Sequence, residues 1–227
     1  MKVTDRAYAL ELDKNDPLAS YRSKFVITDP NLCYLDGNSL GRLPHATVKA
    51  VSDFVSHEWG NEVVTGWSHW IDEAQVAGDL LGRASLGAAA GQVLVCDTTS
   101  VNFYQLCLAA INARPGRKTI ITDAANFPTD RYILDGIAKQ FGLNLVIIDN
   151  EDPAIAENEL ITAELLEKYM SEDVALVTFE VIQYRSGART DIKTVTDLAR
   201  SYGAYVVWDA SHATGAIEMN FDDNGVD

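Results

Sequence analysis

The sequence predicts an α/β protein in which a mostly parallel sheet lies between two layers of helices, a three-layer αβα fold. Two observations support this prediction. From residue 92 to residue 208, strand-like apolar segments alternate with helix-like segments, which is the pattern of consecutive βαβ units. The last apolar segment, residues 204–208 (AYVVW), is almost continuously apolar, as expected of a strand that is buried on both faces.

The first ninety residues predict helices joined by irregular segments. Asp16-Pro17 supplies an N-cap followed by a proline in the first helical turn, and Pro44 starts another helix. Small residues in a later helix, Gly78 and Gly82 among them, predict close packing against a neighbour. Helices are therefore expected over residues 4–12, 18–25, 44–59 and 71–90, with a short strand over 31–36 and an irregular aromatic stretch over 61–70.

The remaining residues predict the sheet and its covering helices. Each apolar segment is short enough for a strand and is followed by a segment of helical length. A polar insertion, residues 150–159, is expected to be a surface loop. Strands are predicted over residues 92–96, 119–122, 144–148, 174–179 and 204–208, and helices over 100–113, 128–141, 161–169 and 192–202.

Composition excludes several classes of partner. The chain has 18 basic and 33 acidic residues and a net charge of −15, which argues against nucleic acid and anionic membranes as partners. No signal peptide and no run of about 18 apolar residues is found, so a cytoplasmic protein is expected. The three cysteines form no CxxC motif, and no metal site is predicted.

Polar and aromatic residues follow the predicted strands at the points where they end. In a parallel sheet these points share one edge, and ligands bind there. This edge would carry hydroxyls at a helix start (Thr98, Thr99, Ser100), an aromatic residue before a proline (Phe127), an acid and an aromatic (Glu180, Tyr184), and an acid close to a histidine (Asp209, His212).

Each of these signals has a structural alternative. Thr99 and Ser100 could hold a phosphate at the helix N-terminus or could serve only in N-capping. Phe127 could stack on a flat ring or fill the core, and Asp209 could hold a cation or act as a cap. His212 could belong to a site or be a hydrogen-bonded histidine near the core. Taken together, a phosphate site, a stacking ring and a buried acid predict pyridoxal phosphate (PLP), whose ring nitrogen needs a carboxylate partner.

Five motifs carry a resemblance to a known family. They are YLDGNSLG (residues 34–41), TSVN (99–102), NFPTD (126–130), YRSG (184–187) and WDASHATG (208–215). Their order and spacing are similar to those of kynureninases, which are fold-type-I enzymes of the aspartate aminotransferase superfamily. The resemblance extends from about residue 10 to the end of the sequence, and the combination of motifs is specific.

The resemblance implies both an activity and residue roles. Kynureninases hydrolyse L-kynurenine or 3-hydroxykynurenine to an anthranilate and L-alanine with PLP, in tryptophan catabolism. The cofactor withdraws electrons from Cα, water adds to the γ-carbonyl, and the Cβ–Cγ bond breaks. The implied roles are phosphate binding for Thr99 and Ser100, ring stacking for Phe127, pocket lining for Pro128, Thr129 and Asp130, pairing with the ring nitrogen for Asp209, cofactor support for His212, and substrate approach for Asn38 and Ser39.

The resemblance also implies a domain organisation. Residues 1–60 would form an N-terminal arm and part of a small domain, and residues 61–227 a PLP-dependent transferase-like large domain that is incomplete at its C-terminus. In the family the Schiff-base lysine lies beyond the position of Asp227. The chain alone is therefore expected to be inactive, and the complete protein to be a homodimer.

A second departure from the family pattern, besides the lysine, leaves alternatives open. Glu180 stands where the family usually has a small hydroxyl residue, and Val181 where it has a histidine. A carboxylate near a phosphate or a substrate would be repulsive. The alternatives are a degenerate PLP-fold binding protein without catalysis, or another fold-type-I enzyme such as a cysteine desulfurase or an aminotransferase.

Overall fold

A computed structural model describes residues 2–149 and 160–226 of the chain. It divides into two compact units, with the boundary between Ile71 and Asp72. The predicted surface loop over residues 150–159 lies outside the described residues. Within the described ranges, no helix is both long enough and apolar enough to cross a membrane.

The first unit is helical. Asp16 accepts a hydrogen bond from the backbone N–H of Leu18 at 2.8 Å, just before a 3₁₀ helix whose N-cap residue is Leu18. The elements are α1 (Arg6–Lys14), the 3₁₀ helix Ala19–Lys24, α2 (His45–Asp53) with its π-helical continuation Phe54–Trp59, α3 (Gly60–Glu62), the 3₁₀ helix Val63–Gly66 and α4 (Trp67–Trp70).

The strand predicted over residues 31–36 is wrong. This segment pairs with no neighbour in the described structure, and the Leu35 side chain is 87% exposed. Its end is instead held locally, because the Tyr34 hydroxyl lies 2.9 Å from the carbonyl oxygen of Asp36 and 2.5 Å from that of Leu40. The residues that follow form a turn, in which the Ser39 N–H donates to the Asp36 carbonyl at 3.2 Å.

The second unit contains the sheet and most of the buried apolar residues. A proline begins the helix Pro128–Phe141, and left-handed glycines follow the helices that end at Leu86 and Phe141. The elements are α5 (Glu73–Leu81) with its π-helical continuation Gly82–Leu86, α6 (Thr99–Asn112), β1 (Thr119–Asp123), α7 (Pro128–Phe141), β2 (Asn144–Ile148), α8 (Ala163–Glu167), β3 (Val174–Glu180), α9 (Ile192–Ser201) and β4 (Tyr205–Asp209).

The four strands form one parallel sheet in the order β2-β1-β3-β4. Helices α6 and α7 cover one face, where Phe103 and Leu134 pack with Leu176 of β3. Helices α8 and α9 cover the other face, where Val195 packs with Phe179. The predicted three-layer αβα fold is thereby confirmed, and the strand ends of β1, β3 and β4 meet at one edge.

The strand predicted over residues 92–96 is also wrong. Its backbone groups bond to α5 rather than to a strand: the Val95 N–H donates to the Ala74 carbonyl at 3.2 Å, and Gln75 Nε2 donates to the Val93 carbonyl at 3.0 Å. Gly78 permits this approach, since a Cβ there would lie 2.0 Å from the Val93 oxygen. The predicted close packing at Gly78 therefore occurs, and it uses the segment that was expected to be a strand.

Candidate functional site

Three strands end on buried carboxylates at the carboxyl edge of the sheet. These are Asp123 of β1, Glu180 of β3 and Asp209 of β4, and the last two are register partners in adjacent strands. Asp130, in the first turn of α7, adds a fourth carboxylate. None of the four is more than 9% exposed. Carboxylates are rarely buried in this way unless they have partners, so this edge is a candidate site.

The sheet face beneath α6 and α7 changes from apolar to polar towards this edge. On β3 the apolar Leu176 is followed on the same face by Thr178 and then Glu180, all of them buried. On β1 the buried Thr122 hydroxyl lies 2.8 Å from Asn126 Nδ2, and Asn126 Oδ1 accepts from the Phe127 N–H at 2.7 Å. This pair of hydrogen bonds fixes the loop that presents Phe127.

Burial and mutual repulsion raise the proton affinity of two of these carboxyls. Desolvation, followed by the charges of Asp209 and Asp123, raises the pKa of Glu180 to about 8. Desolvation, followed by the adjacent Asp209 carboxyl, raises the pKa of Asp130 to about 7. Burial and the charge of Asp130 also raise the pKa of the Cys107 thiol, so this residue is an inert core thiol. At neutral pH the cluster therefore carries less negative charge than its four carboxyls could supply.

Asp209 is positioned by its own backbone and by the turn that follows. Its carboxylate oxygen Oδ1 accepts the Ser211 N–H at 2.8 Å, and its carbonyl accepts the Val181 N–H at 2.8 Å. The rigid end of β4 and this local turn hold the carboxylate in place. In this geometry Asp209 can cap the turn that follows β4 and also hold a cation.

His212 and two aromatic rings form a wall beside the carboxylates. The ring centroids of Phe127 and Tyr184 are 5.1 Å apart in an edge-to-face arrangement, and the His212 ring lies 6.4 Å from Phe127 and 6.3 Å from Tyr184. His212 Nδ1 is 3.9 Å from Glu180 Oε1. Phe127 is 37% exposed, so its ring is a surface wall rather than a core residue.

Thr99 and Ser100 occupy the first turn of α6, and their side chains are exposed. The topology places this turn at the carboxyl edge. Beyond the other end of α6, Arg114 Nε donates to the Gly203 carbonyl at 2.6 Å, immediately before β4 begins. Thr98 performs the N-capping, because its side chain accepts the Val101 N–H at 3.3 Å. The hydroxyls of Thr99 and Ser100 are therefore not required for the cap.

Asn38 and Ser39 lie in the first unit, in an exposed turn that is held by Asp36. The Ser39 hydroxyl donates to Asp36 Oδ1 at 2.8 Å, and the Ser39 N–H donates to the Asp36 carbonyl at 3.2 Å. The residues that the structure brings together are those of the second unit, namely Phe127, Asp130, Asp209 and His212. Pro128 and Thr129, both half-buried, are part of the same α7 start.

Sequence reasoning did not assign Asp123 or Gln183 to the site. Gln183 Nε2 donates to Asp123 Oδ2 at 3.3 Å, which links the ends of β1 and β3. The signal for Asp123 was present, because it is an acid at the end of a strand, as Asp209 is. The contact between Asp130 and Asp209 could not be read in this way, since it joins elements that are far apart in the sequence.

This arrangement suits a flat, phosphorylated cation. Backbone N–H groups and hydroxyls at the start of a helix can hold a phosphate, and the aromatic wall can face a planar ring. The carboxylate of Asp209 lies close to other acidic groups that repel it. A cationic ring nitrogen bound beside Asp209 would offset that repulsion.

The family model for aminotransferase class-V matches residues 33–227. The chain belongs to the aminotransferase class-V family. This match and the similar proteins confirm the predicted resemblance. They also confirm the predicted cofactor, because PLP is the cofactor of the family. Kynureninases from Pseudomonas fluorescens and Deinococcus radiodurans are 33% and 34% identical over 233 aligned residues, which cover 99% and 100% of this chain.

The chain spans about half the length of the curated relatives that it matches, 53% in both cases. A solved structure of a C-DES mutant, with glycine covalently linked to its PLP cofactor, superposes with a TM-score of 0.72 at 15% identity. It covers 87% of this chain, which covers 51% of that structure. This similarity supports the class-V fold and carries no statement about the substrate.

Proposed function

We propose that this chain is the cofactor-binding half of a kynureninase-like hydrolase that uses PLP. The observation that carries the proposal is the cluster at the carboxyl edge, where Asp209 lies among Asp130, Glu180, His212 and the Phe127 ring. The names of the similar proteins from Pseudomonas fluorescens and Deinococcus radiodurans support kynurenine, or its 3-hydroxy form, as the substrate. The products would be an anthranilate and L-alanine.

Asp209 would accept a hydrogen bond from the protonated ring nitrogen of the cofactor. When it is bound, PLP supplies an electron sink for the carbon that is attached to the substrate amine. A charge-assisted hydrogen bond to a carboxylate keeps the ring nitrogen protonated, and the buried end of β4 keeps that carboxylate in position. Asp209 thereby controls the protonation of the nitrogen atom.

The other residues would bind and orient. Thr99 and Ser100 would donate to the phosphate from the first turn of α6, where the helix dipole also favours an anion. Phe127 would stack on one face of the ring, and the α7 start (Pro128, Thr129 and Asp130) would line the pocket. His212 would complete the wall, since its ring lies 6.4 Å from that of Phe127.

Several roles in the complete protein belong to the same proposal. Asn38 and Ser39 would approach the substrate, and the Schiff-base lysine would come from a part of the family fold that this sequence does not include. A homodimer, a cytoplasmic location and a place in tryptophan catabolism are proposed together with the activity.

The first test is PLP binding, followed by the absorbance of the cofactor in a titration of the protein. Asp209→Asn should weaken binding about tenfold or more, because a hydrogen bond to a charged group contributes about 1.5–3 kcal/mol. The matched control is Asp173→Asn, at the opposite edge of the sheet, where Asp173 accepts from Thr119 Oγ1 at 2.7 Å. Equal affinities for Asp209→Asn and the control would exclude the assigned role of Asp209.

The second test is anthranilate fluorescence from kynurenine, measured on a protein in which this chain is joined to the C-terminal half of a kynureninase. Anthranilate production that is lost in Asp209→Asn is the expected result. PLP binding without anthranilate production would favour another PLP enzyme, such as a cysteine desulfurase or an aminotransferase. The absence of both would favour a degenerate binding protein.

A further inference from the structure

Glu180 is a buried acid for which the proposed function has no role. It is the last residue of β3, is 2% exposed, and is the register partner of Asp209. Both of its carboxyl oxygens are buried, and within the described residues neither has a partner in full hydrogen-bond geometry, although the backbone N–H of Tyr184 is close enough to lower its pKa. An isolated charge in such a place is costly, so this carboxyl needs a partner, a proton or both.

A second buried polar atom with the same need is Nδ1 of His212. It lies 3.9 Å from Glu180 Oε1, is buried, and is also without a hydrogen bond partner among the described residues. This separation is about one ångström longer than a hydrogen bond. Closing this gap would give both groups a hydrogen bond partner.

The surrounding acidic residues favour the protonated form of the Glu180 carboxyl. Asp209 on β4, Asp123 on β1 and Asp130 on α7 all act on Glu180, and each of them raises its pKa. The backbone N–H of Tyr184 acts in the opposite direction, and Gln183 is engaged with Asp123. Three acids on three elements therefore disfavour a further negative charge, and one cation or one proton relieves them.

We propose that Glu180 is a positioning residue that shares one proton with Nδ1 of His212 and thereby fixes the imidazole in the aromatic wall. In one form Glu180 Oε1 carries the proton and donates a hydrogen bond to Nδ1, so that the neutral ring carries its own hydrogen on Nε2. In the other form Nδ1 carries the proton and donates a hydrogen bond to the carboxylate. The proton moves between these two atoms, and no bond between heavy atoms forms or breaks.

The inference rests on the proposed function only in assigning His212 to a cofactor wall. The shared proton itself is a property of the protein without cofactor. A failure of PLP binding would therefore leave the proton-sharing result intact, and the two proposals can fail separately.

The experiment is ¹⁵N NMR of the histidine side chains in the cofactor-free protein between pH 6 and pH 10. The His212 signals, assigned with His212→Gln, should show a step near pH 8 as Glu180 loses its proton. Glu180→Gln should abolish this step, because an amide does not titrate. Glu180→Asp keeps a titratable group and should retain a step at a shifted pH.

His69 provides a matched control elsewhere in the chain. Its Nε2 lies 3.5 Å from Glu62 Oε2, but both side chains are at least 40% exposed. Water screens such a pair, so Glu62→Gln should change the ¹⁵N chemical shifts of His69 much less than Glu180→Gln changes those of His212. Identical His212 signals in the wild type and in folded Glu180→Gln would overturn the proposal, as would a step that persists in Glu180→Gln.

Discussion

The carboxyl of Glu180 links the protonation of the site to the stability of the fold. Its pKa is about 8 in the folded chain and has an ordinary value of 4.5, since burial and three neighbouring acids favour the neutral form. Below pH 4.5 the group is protonated in both the folded and unfolded states and costs nothing. Between pH 4.5 and pH 8 the unfolded chain releases the proton while the folded chain retains it, so stability falls as pH rises.

Glu180→Gln should remove this pH dependence. The free energy of unfolding of the wild type should fall relative to the variant by up to about 1.4 kcal/mol per pH unit in this window, and the difference should level off above pH 8. Urea unfolding at pH 5, 6, 7, 8 and 9, followed by circular dichroism, would measure it. If the free energy of unfolding changed with pH in the same way for the two proteins, Glu180 would not hold its proton in the folded state. Asp130, with a pKa of about 7, also makes stability fall as pH rises. It is present in both the wild type and the variant, so its effect cancels in the difference between them.

Among the individual residues, the sequence predicts which residue types lie at the carboxyl edge of the sheet better than it predicts their contacts. Asp209 and His212 could be predicted because an acid and a histidine follow a strand of obvious apolar character. The contacts of Asp130 with Asp209 and of Gln183 with Asp123 could not, because they depend on the strand order β2-β1-β3-β4. Strand order is a tertiary property that local patterns do not specify.

At the scale of elements, the start of α6 separates the N-cap residue from the two residues for which phosphate binding is proposed. Thr98 Oγ1 accepts the Val101 N–H, whereas Thr99 and Ser100 expose their hydroxyls one and two residues later. Thr98→Ala should lower the free energy of unfolding by about 1 kcal/mol, the usual cost of a lost N-cap. Thr99→Ala and Ser100→Ala should leave stability nearly unchanged and weaken PLP binding.

Urea unfolding and PLP titration of the three variants would check this division. Free pyridoxal, which lacks the phosphate, is the matched ligand: its affinity should be the same for the wild type and for Thr99→Ala. If Thr98→Ala alone weakened PLP binding, the phosphate site would lie at the cap, and the roles of Thr99 and Ser100 would be wrong.

The element predictions succeeded where local chemistry marks both ends of a segment. Helix α7 could be predicted over Pro128–Phe141 because proline suits the first turn and Gly142, at φ 65°, ends it in a left-handed conformation. Residues 92–96 have an equally apolar pattern, but a strand also needs a free neighbouring edge. Here α5 takes their backbone groups through Ala74 and Gln75, which no periodicity in the sequence indicates.

At the scale of the whole molecule, strong negative charge and exposed apolar side chains oppose each other. The net charge is −15, which repels copies of the chain from one another. In the second unit several large apolar side chains are more than half exposed, among them Val76, Leu80, Leu94 and Leu106. Exposed apolar surface of this kind favours association, and strands β2 and β4 are edges of the described sheet.

Self-association should therefore increase with salt. At about 0.01 M ionic strength the Debye length is about 30 Å and repulsion between copies is strong, whereas at about 1 M it is about 3 Å and the apolar contacts remain. Sedimentation velocity across this range should show larger species at high salt. Leu80→Gln with Leu106→Gln should reduce them, whereas Gln105→Ser, an exposed polar change on α6, should not. If association instead decreased with salt, ion pairs rather than apolar surface would hold the copies together.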